Sequence, residues 1–185
     1  KNPNVVSGRI MHMDIARLVR SIPDFPIKGI LFRDITTLIR DGEALQETID
    51  TMVEHYIDTD IDVVAAIEAR GWIFGSPLAY ELGAGFVPIR KPSKLPAEKI
   101  SVSYSLEYGV NTLEMHKDAI APGTKVLIVD DLLATGGSAK AACQLIEKLG
   151  GQVVGLAFLI ELVDLKGRDK LKGYDIYAMI PFEGA

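Results

Sequence analysis

The sequence at residues 126–138, Val-Leu-Ile-Val-Asp-Asp-Leu-Leu-Ala-Thr-Gly-Gly-Ser, decides the fold. Its four apolar residues, Val126–Val129, are typical of a strand buried on both faces. The carboxylates of Asp130 and Asp131 follow, and a turn of small and hydroxyl side chains occupies 134–138. An apolar-periodic stretch after the turn predicts a helix. This order of strand, acidic pair, glycine-rich turn and helix is typical of an α/β protein that binds a ligand at a strand's end.

The turn and the acidic pair suit two parts of one ligand. Glycines let the backbone approach an anion, and the free N–H groups of a helix's first turn point at it. Two carboxylates repel phosphate, but they suit sugar hydroxyls or a Mg²⁺ ion that bridges to them. A ribose 5-phosphate carries both groups. The stretch is neither a Walker A loop nor a dinucleotide-binding turn, and the remaining alternative is an ordinary strand, loop and helix without a ligand.

Length and composition limit the class of protein. A chain of 185 residues with 48% hydrophobic and 24% charged residues predicts a single domain over 1–185. No apolar run reaches the roughly 18 residues of a membrane span, so we expect no membrane partner. The net charge of -5 argues against nucleic-acid binding. The single Cys143 excludes an internal disulfide and is compatible with a reducing compartment, so we expect a cytoplasmic protein.

Alternating apolar patterns predict a mostly parallel sheet flanked by helices. The predicted strands cover 62–67, 86–89, 126–129 and 153–162, and the predicted helices cover 10–22, 71–82, 136–149 and a segment that begins at Asp41. Residues 91–116 interrupt this alternation with a polar, proline-containing loop followed by two alternating runs. We interpret them as a mobile lid loop and hairpin.

Basic side chains follow two of the predicted strands. Arg70 comes after the strand at 62–67, while Arg90, Lys91 and Lys94 come after the strand at 86–89. Because ligands of open α/β sheets bind beyond the carboxyl ends of the strands, these cations could neutralise a pyrophosphate. The alternative for the lysines is a solvated loop.

Two further side chains are candidates for contacting a flat base. Glu107, on the predicted lid, could exchange a proton with a bound base, and the alternative is an exposed hairpin carboxylate. Phe32 could stack on the ring, and the alternative is a core aromatic. The three histidines lack metal-ligand spacing.

Taken in chain order, the motifs resemble those of the adenine phosphoribosyltransferase family, a branch of the type I phosphoribosyltransferases. The motifs are Phe25–Thr36, Glu68–Gly71, Arg90–Lys91 with Lys94–Pro96, Tyr104–Gly109 and Val129–Gly137. The likeness runs from about Ile22 to the C-terminus and includes Glu161 and Leu165–Arg168. Two residues depart from the family pattern, Trp72 where Phe is expected and Ser93 where Gly is common.

The resemblance implies the type I fold with a small N-terminal hood, at about residues 1–40, that binds the base. It also implies a homodimer and a Mg²⁺-dependent reaction. Adenine and phosphoribosyl pyrophosphate (PRPP) would give AMP and pyrophosphate through an oxocarbenium-like transition state. The alternatives are a phosphoribosyltransferase for xanthine, hypoxanthine/guanine or orotate, and a non-enzymatic regulator that senses PRPP.

The resemblance also implies roles for individual residues. Glu107 would be the catalytic acid/base. Asp130 and Asp131 would hold the ribose hydroxyls near Mg²⁺, which is bound mainly through PRPP. Arg70 would bind pyrophosphate across a non-proline cis bond after Ala69. The 5-phosphate site would consist of Ala134, Thr135, Gly136, Gly137 and Ser138. Further pyrophosphate contacts would come from Arg90, Lys91 and Lys94, one or more of which would reach the neighbouring subunit's site. The adenine site would consist of Leu31, Phe32 and Arg33.

Overall fold

A computed structural model describes residues 14–105 and 109–184 of the chain. The strands are β1 (Arg20–Pro23), β2 (Leu31–Asp34), β3 (Val63–Ile67), β4 (Gly85–Ile89), β5 (Lys99–Ser105), β6 (Val110–His116), β7 (Lys125–Leu133), β8 (Gln152–Leu162) and β9 (Ile176–Phe182). The α-helices are α1 (Thr36–Ile39), α2 (Gly42–Tyr56), α3 (Gly71–Glu81) and α4 (Gly137–Lys148), and short 3₁₀ turns cover Ile15–Leu18, Val163–Leu165 and Gly167–Leu171.

The central sheet is parallel and has five strands in the order β4-β3-β7-β8-β9. Residues Val126–Val129 in its middle strand are fully buried, as the apolar run predicts. Successive side chains point to opposite faces, so β7 contributes to two cores. Val126 and Ile128 pack with α4 and the β5–β6 hairpin, whereas Leu127 and Val129 pack with α2 and α3. The α/β prediction is confirmed.

Strand β7 is longer than the apolar run that predicts it. It extends to Leu133, so Asp130 and Asp131 lie within the strand rather than after its end. The extension is paired, because Asp130 lies opposite Phe158 and Leu133 lies opposite Glu161 of β8. Backbone pairing to a neighbouring strand thus carries the β conformation past the point where the apolar pattern stops.

The helix predicted over 10–22 is wrong in the part that the structure describes. Residues Ile15–Leu18 form a 3₁₀ turn, and Arg20–Pro23 form β1, which pairs antiparallel with β2. The side chain of Arg20 stabilises the strand pairing, because its guanidinium donates to Asp34 on β2. Asp34 also accepts the N–H of Thr36 at 2.9 Å, so one carboxylate joins β1 to the start of α1.

The β5–β6 hairpin stands apart from the main sheet. Its antiparallel register runs from Lys99 opposite His116 to Ser105 opposite Val110. An isolated bridge between Arg90 and Glu114 ties the hairpin to the end of β4. The hairpin prediction is therefore confirmed, whereas the mobility of this lid stays a prediction.

Helix α4 contains the single cysteine. The side chain of Cys143 is fully buried among the apolar residues of one core, and this burial raises the pKa of its thiol to about 12. The thiol is therefore a packing group. Among the described residues, none of the helices has the length and apolar character that a membrane crossing requires.

Candidate active site

A cavity of about 220 Å³ opens at the carboxyl end of β7. Its lining consists of Arg70, Tyr104, Asp130, Asp131 and the segment 132–138. The parallel sheet explains the assembly, since β3 and β7 are neighbours and their carboxyl ends lie side by side. The structure thus brings the predicted phosphate turn, the predicted ribose pair and one predicted pyrophosphate ligand into a single cavity.

The acidic pair is buried and electrostatically costly. Burial raises the pKa of Asp130 well above its ordinary value, and the neighbouring charge of Asp131 raises it further. Burial also raises the pKa of Asp131, although the Arg70 guanidinium opposes this shift. The backbone N–H of Asp131 donates to Asp130 Oδ1 at 2.9 Å, which fixes that carboxylate. Ligand hydroxyls or a cation in the cavity would relieve the repulsion between the two carboxylates.

Arg70 is the predicted cation that the cavity contains. Its Nε lies 2.8 Å from Asp131 Oδ2, and its guanidinium carbon lies 5.7 Å from the centroid of the Phe32 ring. Helix α3 begins immediately after it at Gly71, where an added Cβ would lie 2.9 Å from the carbonyl oxygen of Val129. A side chain at position 71 would therefore push α3 and Arg70 away from β7.

The cis bond that the resemblance implies after Ala69 lies one position earlier. The structure places it between Glu68 and Ala69. Glu68 accepts the backbone N–H of Lys91 at 2.5 Å, so the segments that follow β3 and β4 are joined at this point.

The turn at 134–138 has the glycine conformation and the following helix that the sequence predicts. Gly136 has φ +76°, in the left-handed region that favours glycine, and α4 begins at the next residue. No side chain among the described residues caps α4. Its first-turn N–H groups are therefore available to an anion in the cavity.

The structure reveals two residues that the sequence analysis did not assign to the site. The ring of Tyr104 on β5 covers the turn, and an added Cβ on Gly137 would lie 3.0 Å from Tyr104 Cδ2. Burial raises the pKa of the Tyr104 hydroxyl. From the opposite side Gly167 packs against the turn, since a Cβ on it would lie 3.1 Å from the nitrogen of Gly136. Both residues lie in motifs shared with the family, Tyr104–Gly109 and Leu165–Arg168, and these motifs could have pointed to the site.

The other predicted pyrophosphate ligands do not line the cavity. Arg90 Nη2 lies 3.4 Å from Glu68 Oε2, and its Nη1 donates to the carbonyl oxygen of Lys94 at 3.1 Å. Its guanidinium carbon lies 5.1 Å from the centroid of the Trp72 ring. Lys91 and Lys94 are exposed on the loop that follows β4.

The predicted adenine residues form β2 and lie outside the cavity lining. The ring of Phe32 packs edge-on to that of Phe25, with centroids 5.1 Å apart, and Leu31 is half-buried. The Arg33 guanidinium donates to Ser21 Oγ at 2.6 Å, and its carbon lies 4.2 Å from the centroid of the Phe182 ring. The predicted acid/base, Glu107, lies outside the described residues.

Comparison with known proteins identifies the family. The phosphoribosyl transferase domain family matches residues 36–180. An adenine phosphoribosyltransferase of Halothermothrix orenii is 60% identical over 168 residues, which are 91% of this chain and 99% of that protein. The chain belongs to the adenine phosphoribosyltransferase family.

Solved structures of adenine phosphoribosyltransferases share this fold. The Thermoanaerobacter pseudethanolicus structure is 54% identical, covers 91% of this chain and 98% of its own, and has a TM-score of 0.89. The Saccharomyces cerevisiae structure is 40% identical, covers 89% and 96%, and has a TM-score of 0.84. It is a complex with D-2,5-dideoxy-2,5-imino-altritol 1,6-bisphosphate and adenine. The type I phosphoribosyltransferase fold is thereby confirmed.

Proposed function

We propose that this chain transfers the 5-phosphoribosyl group of PRPP to adenine and releases AMP and pyrophosphate. The observation that carries the proposal is the single cavity in which the turn at 134–138, the acidic pair and Arg70 meet. Relatives at 56–60% identity are named adenine phosphoribosyltransferases, and the yeast structure contains adenine. Fold, site and kinship therefore favour the same reaction.

The two halves of the sugar phosphate match two halves of the cavity. The backbone N–H groups of 134–138 and the first turn of α4 bind the 5-phosphate, which the helix dipole favours. Asp130 and Asp131 accept hydrogen bonds from the ribose hydroxyls. Arg70, already beside Asp131, turns its remaining N–H groups to the pyrophosphate, because a guanidinium binds phosphate oxygens in bidentate fashion.

Adenine binds at the hood beside the cavity. The ring of Phe32 stacks on the base, and the backbone at Leu31 and Arg33 reads its edge. The 5.7 Å separation of Arg70 from the Phe32 ring supports this assignment, because it brings a stacking surface next to a pyrophosphate ligand. The base and the leaving group then approach the ribose from neighbouring parts of the site.

The lid supplies the proton-transfer group and excludes water. Glu107 serves as the acid/base toward the bound adenine when the hairpin closes. Because bond breaking at C1′ leaves positive charge on the ribose, the transition state is oxocarbenium-like, and a closed cavity keeps water from attacking the sugar. Tyr104 on the same hairpin already covers the turn, which supports closure in this direction.

Asp130 and Asp131 fit Mg²⁺ that arrives mainly with PRPP. Two buried carboxylates that repel each other favour a nearby cation, and Mg²⁺ usually combines one or two carboxylates with substrate phosphates and water. The described residues offer no cluster of three or more His, Cys, Asp or Glu that could hold a metal alone. When bound, Mg²⁺ would offset the negative charge that develops on the leaving pyrophosphate.

The loop cations act across a homodimer. Arg90, Lys91 and Lys94 do not line the cavity of their own subunit, so we assign one or more of them to the pyrophosphate site of the neighbour. Tyr80 on α3 is 81% exposed and Phe86 on the edge strand β4 is 37% exposed, which suits a surface covered by a second subunit. We expect the enzyme to act in the cytoplasm.

Pyrophosphate release from PRPP and Mg²⁺ tests the proposal, with adenine, guanine, hypoxanthine, xanthine and orotate assayed in parallel. Release with adenine alone is the expected result. Release with another base would retain the PRPP site and refute the adenine assignment. PRPP binding without release for any base would favour a regulator.

The role of Glu107 is tested with Glu107→Ala. We expect turnover to fall by about 10²–10⁴-fold, because that is the usual contribution of a general acid or base, while the Kd for PRPP changes little. The Val110→Ala variant, at an exposed position of the same hairpin, is the control. Unchanged turnover of Glu107→Ala would refute the assignment.

A further inference from the structure

The ion pair between Arg168 and Glu161 lies outside the cavity but next to the segment that supports the phosphate turn. Arg168 Nε donates to Glu161 Oε1 at 2.8 Å, and Nη2 donates to Glu161 Oε2 at 2.8 Å. A third bond runs from Arg168 Nη1 to the carbonyl oxygen of Ile176 at 3.2 Å. The guanidinium is therefore fixed by three bonds that a lysine cannot reproduce together.

The carboxylate in this pair is rigidly placed. The Glu161 side chain is 11% exposed, and its backbone lies in β8 between Leu133 of β7 and Pro181 of β9. Leu133 is the last residue of β7 before the phosphate turn. Arg168 is thus anchored to the part of the sheet from which the turn emerges.

The residue before Arg168 packs directly on the turn. A Cβ on Gly167 would collide with the carbonyl oxygen of Ala134, and it would lie 2.9 Å from Leu133 Cδ1 and 3.1 Å from the nitrogen of Gly136. A Cβ on Gly136 would in turn collide with the carbonyl oxygen of Gly167. Two backbones are in contact here without an intervening side chain, so displacement of Gly167 would remove one wall behind the turn.

We propose that Arg168 and Glu161 are positioning residues that hold Gly167 against the turn and thereby preset the 5-phosphate site. The inference rests on the proposed function of that turn. Because the two side chains neither line the cavity nor lie on β2, their loss should weaken the binding of ligands that carry the 5-phosphate, and it should leave adenine recognition intact. If the pair had a purely structural role, its loss would instead weaken the binding of 5-phosphate ligands and of adenine to a similar degree.

The test compares Arg168→Gln, Glu161→Gln, the double variant and Arg168→Lys. For each we would measure the Kd of ribose 5-phosphate, the KM values of PRPP and adenine, and the melting temperature. We expect each single variant to raise the ribose 5-phosphate Kd and the PRPP KM by about 3- to 30-fold, with the adenine KM within about twofold of wild type. Arg168→Lys should recover part of the loss, and the double variant should resemble the single ones.

Lys117→Gln is the matched control, because Lys117 forms an exposed ion pair with Glu98 at 3.3 Å, away from the turn. It should behave as wild type. A wild-type protein that binds neither ribose 5-phosphate nor PRPP would contradict the proposed function itself. A functional wild type with unchanged constants in Arg168→Gln, or with equal rises in both KM values, would overturn the positioning role alone.

Discussion

Replacing Gly136 by alanine should destabilise the protein, because this position combines two demands that only glycine meets. Its φ is +76°, a conformation that disfavours any side chain. An added Cβ would also overlap the carbonyl oxygen of Gly167 and lie 3.2 Å from the carbon of that group. The obstacle is backbone rather than a flexible side chain, so it cannot turn away.

Both demands have an approximate free-energy cost. The left-handed conformation costs an alanine about 1–2 kcal/mol. Overpacking against a fixed neighbour costs about 1–3 kcal/mol, and the stiffer unfolded chain returns about 0.4–1 kcal/mol. The net loss in the free energy of unfolding is about 3 kcal/mol, which for a chain of this length corresponds to a melting temperature about 6–12 °C lower.

Gly83→Ala separates the two contributions. Gly83 has φ +66° and no atom within 4 Å of an added Cβ, so the substitution carries the conformational cost without the collision. We expect it to lower the melting temperature by about 1–4 °C. Thermal and urea unfolding of both variants provide the comparison, and ribose 5-phosphate binding should weaken only in Gly136→Ala. If Gly136→Ala melted within about 2 °C of Gly83→Ala, the close packing of Gly167 on the turn would be refuted.

Variants at Asp130, Asp131 and Tyr104 test the electrostatics of the cavity and the ring that covers its turn. Burial and the charge of Asp131 raise the pKa of Asp130, so the folded protein binds a proton at Asp130 more tightly than the unfolded chain does. The stability that this bound proton contributes is lost as the pH rises through the folded-state pKa of Asp130. Asp130→Asn should therefore have a higher melting temperature than wild type at pH 8, with a free energy of unfolding larger by about 0.5–2 kcal/mol. This difference in stability should disappear at lower pH. The variant should also bind PRPP more weakly. Asp131→Asn should not gain stability, because it removes the charged partner of Arg70. A melting temperature of Asp130→Asn below that of wild type at pH 8 would contradict the reasoning. Tyr104→Ala should raise the PRPP KM about tenfold, because it removes the ring that covers Gly137. Tyr104→Phe keeps the ring and should have a PRPP KM near that of wild type. An equal rise in KM for both variants would show that the hydroxyl and its bond to Asn111 are responsible instead of the ring.

The parts of the fold that the sequence predicts are those with a local physical signal. Val126–Val129 is apolar without a break because both of its faces are buried, and Gly136 marks the one backbone position of the turn that needs a positive φ. The strand, the turn and the start of the helix could therefore be placed from thirteen consecutive residues. The cavity followed from a general rule about the carboxyl ends of parallel strands.

The features that escaped prediction depend on partners distant in sequence. The apolar spacing of residues 10–22 fits a helix, but the pairing of Arg20–Pro23 with β2 decides the outcome. Gly167 contacts a turn about thirty residues earlier, and no local pattern records that contact. Tyr104 belongs to a hairpin whose direction relative to α4 is a tertiary property.

The burial of Cys143 makes the chain suitable for site-specific labelling. It is the only cysteine in the sequence, and its thiol is fully enclosed with a pKa raised to about 12, so thiol reagents and mild oxidants have no thiolate to attack. A Val110→Cys substitution, at a side chain that is 67% exposed on the hairpin, would create one reactive thiol on an otherwise silent background. A fluorophore or spin label attached there would report hairpin movement during turnover without removal of any native residue from the core.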